Sequence, residues 1–170
     1  MPPAKLPSDA GEVRLTTTSG SVGQPFRGAT NRLADMFSQL KYRSFFHDWG
    51  VSPNKDVLSI RQPKPHELEH RGQLIAKPLP GAQGREFTLF SLELERVMTA
   101  LREVRPPYLR GYPTLLHAAA SEARRSGDQL SFERVMTVGE TLHEDVRRFI
   151  EETFPTRVAD AYAGRPPRLD

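Results

Sequence analysis

From residue 92 onward the chain alternates helix-length amphipathic stretches with short apolar ones, and this rhythm constrains the fold more than any other feature of the sequence. Leu92 to Val104, Thr114 to Arg125 and Leu142 to Phe154 carry apolar residues at helical spacing. Between and after them, Tyr108 to Tyr112, Phe132 to Val138 and Arg157 to Tyr162 are strand-like, and Gly127 closes the second helix. Strands separated by helices of this length pair in parallel through right-handed crossovers. The expected fold is therefore α/β, a layered and mainly parallel sheet with crossover helices. Upstream, Val13 to Thr17, Asp56 to Arg61 and Phe87 to Phe90 are expected strands. Asn31 to Asp48 is an expected helix, with Leu33, Met36, Phe37, Leu40 and Phe45 on one face, Thr30 as its cap and Gly50 as its stop. Pro63 to Gly84 is rich in proline and glycine and yields no expected element.

After the first strand comes Thr16-Thr17-Thr18-Ser19-Gly20-Ser21-Val22-Gly23-Gln24-Pro25. Glycine lets backbone N–H groups approach an anion and hydroxyls add compact donors, so this composition suits a phosphate loop. An exposed turn has the same composition. Ligands of layered parallel sheets bind at the carboxyl ends of the strands. The glycine run, Gly139-Glu140-Thr141 and Tyr162 all follow expected strands, which predicts one nucleotide touching all three.

In order along the chain stand the glycine run, Tyr108-Leu109-Arg110-Gly111-Tyr112-Pro113-Thr114-Leu115-Leu116, Val135 to Arg148 with Gly139-Glu140-Thr141-Leu142, and Val158-Ala159-Asp160-Ala161-Tyr162-Ala163-Gly164. Together these segments resemble the AMP-binding, adenylate-forming enzymes, most closely the phenylacetate–coenzyme A ligase-like and capsule-biosynthesis-associated subgroup. The resemblance spans residues 13 to 165 and implies a partial AMP-binding domain between a poorly ordered lead (1–12) and a short tail (166–170), the whole being an internal fragment of a longer enzyme. It implies ATP as cofactor, a carboxylic acid as co-substrate and magnesium in the full-length relatives. By the same resemblance Thr18, Ser19, Gly20, Ser21 and Gly23 would hold phosphates. Gly139, Glu140 and Thr141 would line the adenine and acyl pocket, and Asp160 and Tyr162 would sit with the nucleotide.

Three departures qualify the implied activity. Val22 stands where the family has a threonine, Pro166 falls where its metal-binding glutamate is expected, and no counterpart of the family's C-terminal domain with its lysine is expected. Electrostatic stabilisation is usually the largest catalytic term, so no adenylation by this chain alone is expected. A catalytically silent nucleotide- or acyl-binding module is the alternative. A complementing polypeptide or self-association is expected, because Leu115, Leu116, Met136 and Ile150 are predicted to lack part of their cover.

His66-Glu67-Leu68-Glu69-His70 satisfies H-E-x-x-H, which on an α-helix brings two imidazoles to one face for zinc with Glu67 as general base, the pattern of a zinc hydrolase, and Glu86 or Glu93 as a third ligand. Pro63, Pro65 and Gly72 leave such a helix under two turns, and an exposed charged turn is the competing interpretation. On local spacing Thr141 and Glu144 form a capping box. His117 is expected at a core boundary, His143 in the first turn of a helix, and the Arg124-Arg125 and Arg147-Arg148 pairs on solvated faces. With 24 Lys and Arg against 21 Asp and Glu, interspersed, the chain shows no nucleic-acid or membrane-surface pattern. It has no cysteine, hence no disulfide, thiolate zinc site or thiol nucleophile, and no apolar run of membrane-spanning length. A cytoplasmic location is expected.

Overall fold

Val57, Leu58, Ser59 and Ile60 are all buried, the mark of a strand covered on both faces. They form the centre of a six-stranded sheet. The computed structural model describes residues 11–17, 27–34, 36–37, 47–79 and 81–161. It divides into two units, Met1–Asp48 and Trp49–Asp170.

In the first unit, β1 (Arg14–Thr17) pairs antiparallel with β2 (Arg27–Thr30), Arg14 opposite Thr30 and Thr17 opposite Arg27. The glycine run thus joins two strands of a hairpin rather than a strand and a helix. β1 belongs to this separate sheet, so the glycine run does not follow a strand of the parallel sheet. Among the described residues of the expected helix, 32–34, 36–37 and 47–48 are helical. Its cap is Asn31, whose Oδ1 accepts from the Ala34 N–H at 2.8 Å, and not Thr30, which ends β2. Met36 and Phe37 are exposed.

The second unit contains β3 (Val57–Ile60), a six-residue 3₁₀ turn (Pro65–His70), β4 (Leu74–Pro78), β5 (Arg85–Leu89), α1 (Leu94–Val104), β6 (Tyr108–Gly111), α2 (Pro113–Ser126), β7 (Arg134–Val138), α3 (Glu144–Thr153) and β8 (Val158–Ala161). The sheet order is β4-β5-β3-β6-β7-β8, parallel throughout except for β4, which runs antiparallel to β5. The fold class expected from the sequence is the one observed.

Register places Leu58, Leu109, Val135 and Val158 on one face, where α1, α2 and α3 lie side by side. α1 turns Val97, Met98 and Leu101 inward and stops at Arg105, which takes a left-handed φ of 44° ahead of Pro106 and Pro107. α2 opens with Pro113, whose missing N–H costs nothing at the first helical position. It buries Leu116, Ala119, Ala120 and Ala123 and ends at Gly127, φ 73°. On the opposite sheet face Tyr108, Ser59 and Met136 are buried as well. There Glu86 accepts from Ser59 Oγ at 2.8 Å and from Arg110 Nη2 at 2.5 Å. Burial pushes the Arg110 guanidinium down to about 10, which still leaves it charged at neutral pH.

Several expectations are corrected by this packing. Leu116 and Ile150 are fully buried, and Leu115 packs against the core, because the three helices close over one another within this unit; Met136 is fully buried on the opposite face of the sheet. α3 starts at Glu144 with His143 as N-cap and no side-chain cap bond, so Thr141 and Glu144 make no capping box. His117 stacks on Phe149 between α2 and α3, centroids 4.7 Å apart. Arg147 does not lie on a solvated face. Its Nη1 donates to the Val158 carbonyl at 2.6 Å while the Val158 N–H donates to Glu151 Oε1 at 2.7 Å, so α3 engages the outer edge of β8.

Candidate functional site

The chain leaves β3 toward β5 and leaves β6 toward β7, in opposite directions along the sheet. The carboxyl ends of β3 and β6 therefore bound a topological switch point, where sheets of this kind hold ligands. Arg61 follows β3, Tyr112 follows β6, and Gly139-Glu140-Thr141 follow β7.

Gly139 adopts φ 81°, a left-handed value that a side chain strains to reach. A Cβ added there would also come within 2.9 Å of Tyr112 Cε1, so the Tyr112 ring lies against the Gly139 backbone. The Glu140 carboxylate turns back onto α2: Oε2 accepts from the Thr114 N–H at 3.1 Å and from Thr114 Oγ1 at 2.7 Å. Gly139, Thr141 and Thr114 are exposed, and Tyr112 and Glu140 are half-buried. Asp160, next along at the end of β8, accepts from Thr137 Oγ1 at 2.7 Å.

On the β3 side, Arg61 makes a two-pronged pair with Glu67, Nη1 to Oε2 and Nη2 to Oε1, each at 2.7 Å. The guanidinium lies over the Phe90 ring, 4.6 Å from its centroid, and the His70 ring lies tilted against the same ring with centroids 5.6 Å apart. Hydrogen bonding to Arg61, with the Lys64 N–H and neighbouring positive charge adding to it, pulls Glu67 down to about 2. Glu67 in turn raises Arg61, and Glu86 and Tyr112 contribute to that field.

The H-E-x-x-H expectation meets a different geometry. The segment is a 3₁₀ turn at three residues per turn, which sets positions four apart about 120° from one another around the axis. Glu67, cast as general base, is held by Arg61. Glu86 binds Arg110, and Glu93 binds Arg96 at 2.8 Å. Among the described residues no group of three His, Asp or Glu side chains is arranged to hold a metal ion, and no helix is long and apolar enough to cross a membrane.

Of the residues expected at the site, Gly139, Glu140 and Thr141 sit together at the β7 end and Asp160 at the end of β8. Thr18, Ser19, Gly20, Ser21 and Gly23, with Val22, and Tyr162 lie outside the described residues. The sequence alone gives Tyr112, Thr114 and Arg61 no individual role. Tyr112 had a signal, since an aromatic directly after a strand and before a helix-opening proline falls at a strand's carboxyl end.

This arrangement matches the fold of part of several solved acyl-CoA ligases. The structure is similar to that of 2-hydroxyisobutyryl-CoA ligase bound to 2-HIB-AMP and CoA, with a TM-score of 0.63 at 18% identity, covering 91% of this chain and 36% of that one. It is similar also to the anthranilate CoA ligase AuaEII bound to anthranoyl-AMP (TM-score 0.61, 16% identity, 88% and 28% covered). A luciferase-like enzyme of the mealworm Zophobas morio matches with a TM-score of 0.58 at 18% identity, with 92% and 35% covered. The chain thus spans about a third of the length of the proteins it matches. No protein-family model matches it. Nor does any curated protein sequence.

Proposed function

We propose that this chain is the nucleotide- and acyl-binding segment of an ATP-dependent, carboxylate-adenylating acid–thiol ligase of the phenylacetate–CoA ligase-like group, inactive by itself. The observation that carries this reading is the switch-point arrangement of Tyr112 and Gly139 in a fold shared with ligases that were solved holding acyl-AMP. An open backbone at Gly139 beside an aromatic ring suits a planar base, and Thr141 adds an exposed hydroxyl. When bound, ATP supplies an α-phosphate that the acid's carboxylate attacks with loss of pyrophosphate. In this reading the glycine run, with Thr18, Ser19, Gly20, Ser21 and Gly23, holds phosphates, while Tyr162 and Asp160 stand by the nucleotide. A complementing polypeptide supplies the metal-binding carboxylate that Pro166 does not. A cytoplasmic setting goes with it, because ATP is the substrate.

A second reading, a catalytically silent binding module, is supported by one further observation: Glu140 and Asp160, the two carboxylates expected near the nucleotide, each spend one oxygen on a donor within the chain. The expected outcome is weak ATP binding, about millimolar, that changes little when magnesium is added, with no acid-dependent pyrophosphate exchange. Titration calorimetry with and without magnesium checks this, and tight binding that requires the metal overturns it.

A further inference from the structure

α2 begins with Pro113, which has no N–H, and the Leu116 N–H is already bonded to the Tyr112 carbonyl at 2.9 Å. Of the first-turn donors, only those of Thr114 and Leu115 remain without an intrahelical partner. Glu140 takes the Thr114 N–H and its hydroxyl with one oxygen and brings a negative charge to the positive end of the helix. The partners are 26 positions apart in sequence, so this bond ties the turn between β6 and α2 to the turn after β7. The same two turns meet a second time where the Tyr112 ring lies against Gly139.

We propose that Glu140 is a positioning residue rather than a nucleotide ligand: by capping α2 through Thr114 it holds the Tyr112 ring across Gly139, where the ring forms a wall for the base of a bound nucleotide. The α2 N-terminus is then closed to phosphate from within, and the β6–β7 end of the sheet selects for a flat aromatic group instead of an anion. The use of the wall rests on the nucleotide reading given above. The placement of the ring by Glu140 does not.

Two measurements on the full chain separate these. Gly139 α-protons beside the Tyr112 ring carry a ring-current shift in the NMR spectrum. Glu140→Ala is expected to collapse that shift, and Glu140→Gln, which keeps an acceptor oxygen, is expected to retain it. A merely stabilising cap would lower the melting temperature in Glu140→Ala and leave the Gly139 shift in place, which overturns the proposal. Should Glu140→Ala fail to fold, Glu140→Gln and Tyr112→Leu decide. Loss of the Gly139 shift in Tyr112→Leu with the Thr114 amide unmoved identifies the ring as its source, and retention of the shift in Glu140→Gln then supports the clamp. Loss of that shift in folded Glu140→Gln overturns it. In the second measurement AMP is the probe. Glu140→Ala and Tyr112→Leu are each expected to weaken it about tenfold, Glu140→Gln less than twofold, and inorganic phosphate is expected to leave the Thr114 amide of the unaltered protein unmoved. A phosphate-dependent shift of that amide overturns the closed helix end. If the unaltered protein binds no AMP, the nucleotide reading fails, and the Gly139 protons still decide whether Glu140 places the ring.

Discussion

Glu67 shows how a residue can satisfy a motif and serve another purpose. Its side chain is only 19% exposed, and its carboxylate receives both prongs of Arg61 and titrates near 2 instead of 4.5. Because the folded value lies below the unfolded one, the pair stabilises fully above about pH 4.5, and that contribution drains away as pH falls through 2. Glu67→Gln is expected to cost about 1–3 kcal/mol at pH 7 and to flatten the acid limb of the stability curve over that window, as read by urea unfolding at stepped pH. A zinc-site glutamate would instead leave metal-free stability nearly unchanged on substitution. The sequence makes His66, Glu67 and His70 visible as a pattern. It does not show that Arg61, before two intervening prolines, curls back onto the turn, since that contact comes from the geometry of the chain after β3.

At the scale of elements, what was legible followed from local periodicity. α1, α2 and α3 repeat apolar residues every three to four positions, and β3, β6 and β7 are short apolar runs, so their alternation predicts a parallel sheet that is there. β2 and β4 were not legible. Arg27-Gly28-Ala29-Thr30 has no apolar alternation and becomes a strand only by pairing with β1, and Leu74–Pro78 is a largely exposed edge strand that ends in proline. The candidate site divides the same way. Gly139 announces itself as a glycine after a strand, whereas the bond from Glu140 to Thr114 joins turns that only the folded sheet brings together. α2 lies between α1 and α3 with alanines at three of its buried positions, so Leu116 is its one large buried side chain. Leu116→Ala is expected to cost about 2–5 kcal/mol, measurable as a lowered denaturation midpoint with little change in slope.

Across the whole molecule, order is uneven in a way that hydrogen exchange can read. The central strands β3, β6 and β7 bury Leu58, Leu109 and Val135 completely, while Leu15 is 84% exposed on β1. Amides of Leu58, Leu109 and Val135 are expected to exchange only through global unfolding, and those of β1 and β2 at least a hundredfold faster. Equal protection in the two sheets would show that they unfold as one. The hold of α3 on β8 bears on how this sheet relates to anything beside it. Arg147 and Glu151 stand one helical turn apart and occupy both outward backbone groups of Val158, so a newcomer strand finds the first rung of the ladder taken. It can join only from Asp160 onward, or after the helix lets go. α3 is thus a latch that sets the register of any strand added at this edge, and it leaves a stray β-segment little to pair with.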